Sequence, residues 1–394
     1  MQPSHLTTHR WFGWFVLSVV LASTLTSSAQ SPEKRSFWQK LNPDSLTNRP
    51  LRFIPIPVLQ SGPETGLKGG MALDYFFNTE PDEPDTTRRQ PKAMRAVTRD
   101  SYAFVQALYS TRRQLTLEGA WQVYSPGERY VLRGRGGYQD YSEYYWGIGN
   151  ETVAEKAYDD ILYRRWFLQT RAWRQIRPNV FVGLSYSFVD TRDLRAARSE
   201  RLLDGIQGGR GGLVSGLGPT ILFDFRNNPF SPTQGWYAEY TLQTYQPWVG
   251  SDFSYVEQLI DLRKYIPFAS GSMLGFQVLG QFTEGTVPLR ELPRLGGPNI
   301  LRGFVLGRYR DRQLWSAQTE YRHPINRFLL AAVFAAVGGV APTIDAFSLA
   351  TTRYAGGAGM RVLLNRKKQL YARVDVAVNS NRTVNAYFRV MDAF

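Results

Sequence analysis

The chain has 394 residues, no cysteine, and 47 basic against 33 acidic side chains, a formal net charge of +14. The missing cysteines exclude disulfide scaffolds and thiolate metal sites. Aromatic residues make up 14% of the chain, yet mean hydropathy is −0.33. That combination is odd for a bundle of transmembrane helices, each needing about 20 consecutive apolar residues, and suits a transmembrane β-barrel, where apolar and polar residues alternate and average out.

In chain order, residues 1–29 read as a secretory signal peptide. Arg10 precedes an apolar core from Trp11 to Ala22, and Ser27-Ser28-Ala29 supplies the small-residue cleavage pattern. Residues 30–50 carry Pro32, Pro43 and Pro50 and read as a periplasmic linker. No later apolar run approaches 18 residues.

From residue 67 onward the hydrophobic period is two. In 113–124, Leu115, Leu117, Trp121 and Val123 alternate with Gln114, Thr116, Glu118 and Gln122. In 220–226, Ile221, Phe223 and Phe225 alternate with Thr220, Asp224 and Arg226, and Leu222 is an exception. In 369–379, Leu370, Ala372, Val374, Val376 and Val378 alternate with Tyr371, Arg373, Asp375 and Asn379. Such alternation fits a soluble sandwich or a membrane barrel. The barrel is favoured because the segments are long enough for tilted spans of about 9–11 residues. Aromatics also cluster near segment ends, at Tyr144-Tyr145-Trp146, Trp236-Tyr237 and Tyr245 through Trp248, where an interfacial girdle would lie. The signal peptide points to the same compartment.

An all-β, 16-stranded antiparallel transmembrane β-barrel is therefore predicted over 51–394. The strands are 51–60, 66–79, 97–110, 113–125, 128–139, 159–174, 178–190, 213–226, 233–247, 251–266, 270–282, 309–322, 325–338, 352–364, 368–379 and 383–393. Pro55 and Pro57 make the first the weakest, since proline belongs at a sheet edge. Short turns at 126–127, 175–177, 267–269, 323–324 and 365–367 are placed in the periplasm. Longer loops at 140–158, 191–212, 283–308 and 339–351 are placed outside. The long link 80–96 breaks this rule.

Two stretches carry a resemblance. The loop 283–308 contains Gly296-Gly297-Pro298-Asn299-Ile300-Leu301-Arg302-Gly303-Phe304, and Gln318-Thr319-Glu320-Tyr321-Arg322-His323-Pro324 follows it. The segment Ile221–Asn228, with Asp224 and Arg226, leads to Pro232-Thr233-Gln234-Gly235-Trp236. Together with Trp146-Gly147-Ile148-Gly149-Asn150 and the final Phe394, these resemble the BamA/TamA family of outer-membrane assembly proteins. The family's hallmark is an Arg-Gly-Phe/Tyr tip on the sixth extracellular loop.

The resemblance implies that Arg302, with Gly303 and Phe304, folds inward and pairs with carboxylates on later strands, of which Glu320 matches the first. The second is expected at Ala336, which cannot serve, so the lock is expected to be half present. The resemblance further implies outer-membrane lipid around the barrel, unfolded outer-membrane proteins as clients and no cofactor. The 30–50 segment is too short for the family's periplasmic POTRA modules, so a separate periplasmic partner is expected to capture clients.

Other chemistries are weaker. His323, beside Pro324, reads as a turn residue rather than a catalytic base. The Gly208-Gly209-Arg210-Gly211-Gly212 run lacks the Lys-Ser/Thr of a phosphate loop. The positive charge does not require nucleic acid, because Arg133, Arg135, Arg361, Arg373 and Arg389 fall on lumen faces with Glu118, Glu239, Asp261 and Asp375. The leading expectation is a non-enzymatic component of protein assembly or translocation in the outer membrane of a Gram-negative bacterium. The alternative is a passive or gated channel with a basic lumen.

Overall fold

The computed structural model describes residues 53–62, 66–80, 98–154, 157–366 and 368–394. The expected signal peptide and linker lie outside the described residues, as does most of the 80–96 link. Sixteen strands form one antiparallel sheet, each bonded to the next along the chain, rolled into a transmembrane β-barrel. They are β1 (Phe53–Gly62), β2 (Gly66–Phe77), β3 (Ser101–Ser110), β4 (Leu115–Tyr124), β5 (Tyr130–Tyr145), β6 (Asp159–Arg177), β7 (Val180–Ala196), β8 (Gly212–Asp224), β9 (Gly235–Tyr245), β10 (Tyr255–Pro267) and β11 (Met273–Gly285). After a loop holding the two-residue hairpin β12 (Arg294–Leu295) and β13 (Tyr309–Arg310) come β14 (Gln313–Asn326), β15 (Leu329–Ala341), β16 (Arg353–Asn365), β17 (Leu370–Asn379) and β18 (Val384–Val390).

The period of two sets which face is wet. On β17, Arg373, Asp375 and Asn379 are buried in the lumen, while Val376 and Val378 are about half exposed on the outer wall. β1 stands at the edge of the strand order, paired with β2. That is where Pro55 and Pro57 cost the ladder least. Residues of early and late strands meet at the short-turn mouth. There Phe76 of β2 clusters with Phe230, Leu370, Val390 and Met391, and Lys368 Nζ lies 2.5 Å from Asp100 Oδ2.

Several boundaries differ from expectation. β5 and β7 run further toward the long-loop end, with 16 and 17 residues, while β6, with 19, runs on to Arg177 at the short-turn end. Arg164 of β6, paired with Asp140 of β5 (3.1 Å) and Asp193 of β7 (3.2 Å), is exposed beside these extensions. A hydrophobic period cannot mark such a stretch. At the other mouth the turn expected at 323–324 is at 327–328. His323 and Pro324 are within β14, where a register shift between Pro324 and Asn326 absorbs the proline. His323 Nδ1 is 2.8 Å from Ser272 Oγ.

The girdle expectation holds in part. Trp236 and Trp248 are exposed, but Tyr144, Tyr145, Trp146, Tyr237 and Tyr245 are buried. The exception Leu222 points inward too, packed with Tyr124, Val131, Trp173, Phe181 and Tyr237 in an apolar layer. Phe394 turns into the barrel against Tyr265 and Met273 rather than facing lipid.

Candidate functional site

The loop 286–312 between β11 and β14 folds into the barrel. Leu295, Leu301, Phe304 and Tyr309 are buried against Leu279, Leu314, Ala336, Val340 and Ala355 of the wall. Burying apolar side chains at about 25 cal/mol per Å2 holds the loop in place. Its tip uses left-handed backbone. Gly303 has φ of +118°, and a Cβ there would lie 3.2 Å from that of Ala355. Its N–H donates to the Tyr387 hydroxyl (3.0 Å), and its carbonyl accepts from the side-chain amides of Asn379 (2.7 Å) and Asn385 (2.6 Å). The Tyr387 hydroxyl donates in turn to the carbonyl of Phe304 (3.0 Å).

This backbone geometry delivers Arg302 to a buried charged cluster. Its Nη1 is 2.6 Å from Glu320 Oε2 on β14 and 2.9 Å from Asp375 Oδ2 on β17. Its guanidinium carbon lies 3.5 Å from the ring centroid of Phe334 on β15, a cation–π contact. Arg361 braces the same carboxylates, with 3.0 Å to Glu320 and 2.6 Å to Asp375. Arg322 bonds Glu320 (2.7 Å) and Asp392 (2.6 Å). Arg373 bonds Asp375 (3.1 Å) and the loop itself, at Pro298 O (2.9 Å) and Asn299 Oδ1 (2.7 Å). Four guanidinium groups thus share three carboxylates.

The half-present lock expected from Ala336 is corrected by this arrangement. Ala336 does face inward, but it belongs to the apolar cluster under the loop. The second carboxylate comes from Asp375 two strands further on. β16, between β15 and β17, carries small residues there, Ala355 and Gly357, so Arg302 spans the gap.

The opposite flank of the loop meets β5. Glu143 receives Arg290 in a very short contact, Arg294 at 3.2 Å and Arg310 at 3.1 Å. The Trp146–Asn150 motif closes over it: Gly149 N–H donates to Arg310 O (2.8 Å), Arg308 stacks over Trp146, and Asn150 donates to Val340 O (2.6 Å). Sequence reasoning noted that motif and missed Glu143. Nothing local distinguishes Glu143 from the other lumen carboxylates.

The hairpin residues Asp224 and Arg226 form a separate group at the short-turn mouth. Arg226 Nε is 2.8 Å from Asp224 Oδ1, and Arg99 Nη1 is 2.7 Å from Asp224 Oδ2. Burial opposes the Arg226 charge, but the Asp224 carboxylate outweighs it and raises the guanidinium pKa well above its usual value. Gly235 opens β9 with φ of +106°, where a Cβ would collide with Phe225 O at 2.0 Å, so the turn requires glycine. Of the other predicted lumen residues, Arg133 pairs with Glu239 (3.0 Å), while Arg135 meets the neutral Gln169 (2.8 Å).

The Omp85 superfamily domain matches residues 105–388. The chain belongs to the Omp85 superfamily. Among solved structures, this Omp85 barrel is similar to BamA from Haemophilus ducreyi lacking POTRA domains 1–3, at 14% identity and a TM-score of 0.53, with 86% of this chain and 69% of that one covered. It is also similar to CdiB from Escherichia coli (11%, TM-score 0.54, 86% and 61%) and CdiB from Acinetobacter baumannii (10%, TM-score 0.52, 86% and 59%). The likeness is one of fold, and the chain spans about three fifths of each CdiB. No curated protein matches the chain.

Proposed function

We propose that this barrel works in protein assembly or translocation at the outer membrane of a Gram-negative bacterium, without enzymatic chemistry, with its long loops outside and its short turns in the periplasm. The observation that carries the reading is the inward loop, fixed by Arg302 between Glu320 and Asp375. A loop bound into the lumen obstructs free diffusion, and a barrel that hands polypeptide to the membrane or across it needs such a closed resting state. Superfamily membership and the fold likeness to BamA and CdiB support the same reading. Unfolded outer-membrane or secreted proteins would be the clients, delivered by a separate periplasmic partner.

Two measurements test this. The barrel is isolated in mild detergent and co-purifying proteins are identified. Outer-membrane or exported polypeptides are expected. Conductance in planar bilayers is expected to be rare and flickering. Large, sustained open steps from the wild type, with no polypeptide retained, would overturn the proposal in favour of a channel with a basic lumen.

A further inference from the structure

The charge balance on the β5–β6 flank of the loop is uneven. Arg290, Arg294 and Arg310 converge on the single carboxylate Glu143. Arg165 of β6 is within electrostatic reach of Arg290 and Arg294, and its Nε donates to a neutral acceptor, Gln139 Oε1, at 2.9 Å. Glu291 is a second carboxylate in reach. Four guanidinium groups therefore meet two carboxylates. Arg290 and Arg310 are 3% and 0% exposed, and the Nε and Nη2 of both have no hydrogen-bond partner among the described residues. Burying a charge without its counter-charge is costly, and each unmet N–H adds to the cost. On the Arg302 flank, where Arg302 Nε and Nη2 are likewise without a hydrogen-bond partner among the described residues, four guanidinium groups meet three carboxylates.

We propose that the lumen wall around Glu143 binds a small oxyanion of the phosphate or sulfate class, which serves as the loop's second anchor. A planar guanidinium offers parallel N–H groups that match two oxygens of a tetrahedral anion. Chloride offers no such pair. The anion would bridge Arg290 of the loop to Arg165 of the wall. One flank of the loop would then be held by the chain's own carboxylates and the other by a ligand whose supply can vary.

The test uses the full folded barrel in detergent. Protease cleavage within 286–312 is followed while inorganic sulfate, and separately inorganic phosphate, replaces chloride at constant ionic strength. Cleavage is expected to slow and saturate with either oxyanion. The near-isosteric substitution Gln139→Glu places a carboxylate beside Arg165. It is expected to slow cleavage in chloride alone and to diminish the oxyanion response. Equal protection by chloride, or an undiminished oxyanion response in folded Gln139→Glu, would overturn the proposal. So would protection by a short-chain phosphatidylglycerol but not by either inorganic anion, which would assign the site to a lipid headgroup. The wild-type titration alone decides the matter if Gln139→Glu does not fold.

Discussion

Arg302 and Asp375 are 73 positions apart in the chain and 2.9 Å apart in the barrel. The contact joins the tip of the inward loop to the second-last strand, past β15 and β16. It also makes Asp375 the hub of the cluster, because Arg361 and Arg373 bond it as well. Removing a carboxylate and removing an arginine are therefore not equivalent. Arg302→Ala leaves three guanidinium groups with three carboxylates. Asp375→Ala leaves four with two. Breaking a buried pair costs about 3–5 kcal/mol, and Asp375→Ala is expected at the upper end or above it, with Arg302→Ala clearly milder. Heat-modifiable gel mobility gives the stability order. If Arg302→Ala proved the more damaging, the charge count would not govern this cluster.

The strand number, the inward faces and the sixth-loop motif were legible because each leaves a local mark: a period of two, or a run of glycines around arginine. Asp375 was not. Beside Arg373 it looks like an ordinary lumen charge, and it meets Arg302 through a register that passes over β15 and β16. The strand ends failed for a related reason. Past position 139 the exposed face of β5 carries Asp140, so the alternation that defines the strand stops before the strand does.

Position 336 gives a second test. With Asp375 already in place, a carboxylate at 336 adds no missing partner. Ala336→Asp would put it against Leu295, Phe304 and Val340 in the apolar cluster. Burying an isolated carboxylate costs several kcal/mol or forces it to take up a proton. The expected outcome is a less stable barrel with faster protease cleavage in 286–312. Slower cleavage would mean that the arginine cluster has room for another anion at that place.

The loop tip depends on backbone shape as well as charge. Gly303→Ala adds a methyl group 3.2 Å from that of Ala355 on a backbone at φ of +118°. Strain of about 1–3 kcal/mol is expected. Tyr387→Phe removes the hydroxyl that bridges Gly303 and Phe304, at about 0.5–1.5 kcal/mol. Both should raise loop cleavage while leaving the barrel's heat-modifiable fold intact. Wild-type cleavage rates in both variants would show that the arginine cluster alone holds the loop.

Orientation can be read on cells, because the chain contains no cysteine. Arg201→Cys lies in the loop between β7 and β8, and Arg327→Cys in the turn between β14 and β15. With long loops outside, an impermeant thiol reagent should label position 201 on intact cells and position 327 after the outer membrane is opened. Labelling of 327 but not 201 on intact cells would reverse the barrel.

The lipid face is the last point to test. Val376 is 48% exposed on the outer wall of β17, directly after the fully buried Asp375. One residue therefore separates the hub of the charged cluster from hydrocarbon. An arginine facing lipid at the midplane costs about 2–4 kcal/mol, falling toward the interfaces. Val376→Arg should therefore accumulate as unfolded, heat-unmodified protein, whereas Val376→Ala, which keeps an apolar surface, should fold nearly as well as wild type. A charge at 376 cannot turn inward for relief, because a one-residue shift of register would carry Asp375 into lipid and strip Arg302, Arg361 and Arg373 of their shared carboxylate. Equal folded fractions for Val376→Arg and wild type in native membranes would show that this face of β17 meets water or another protein instead of lipid.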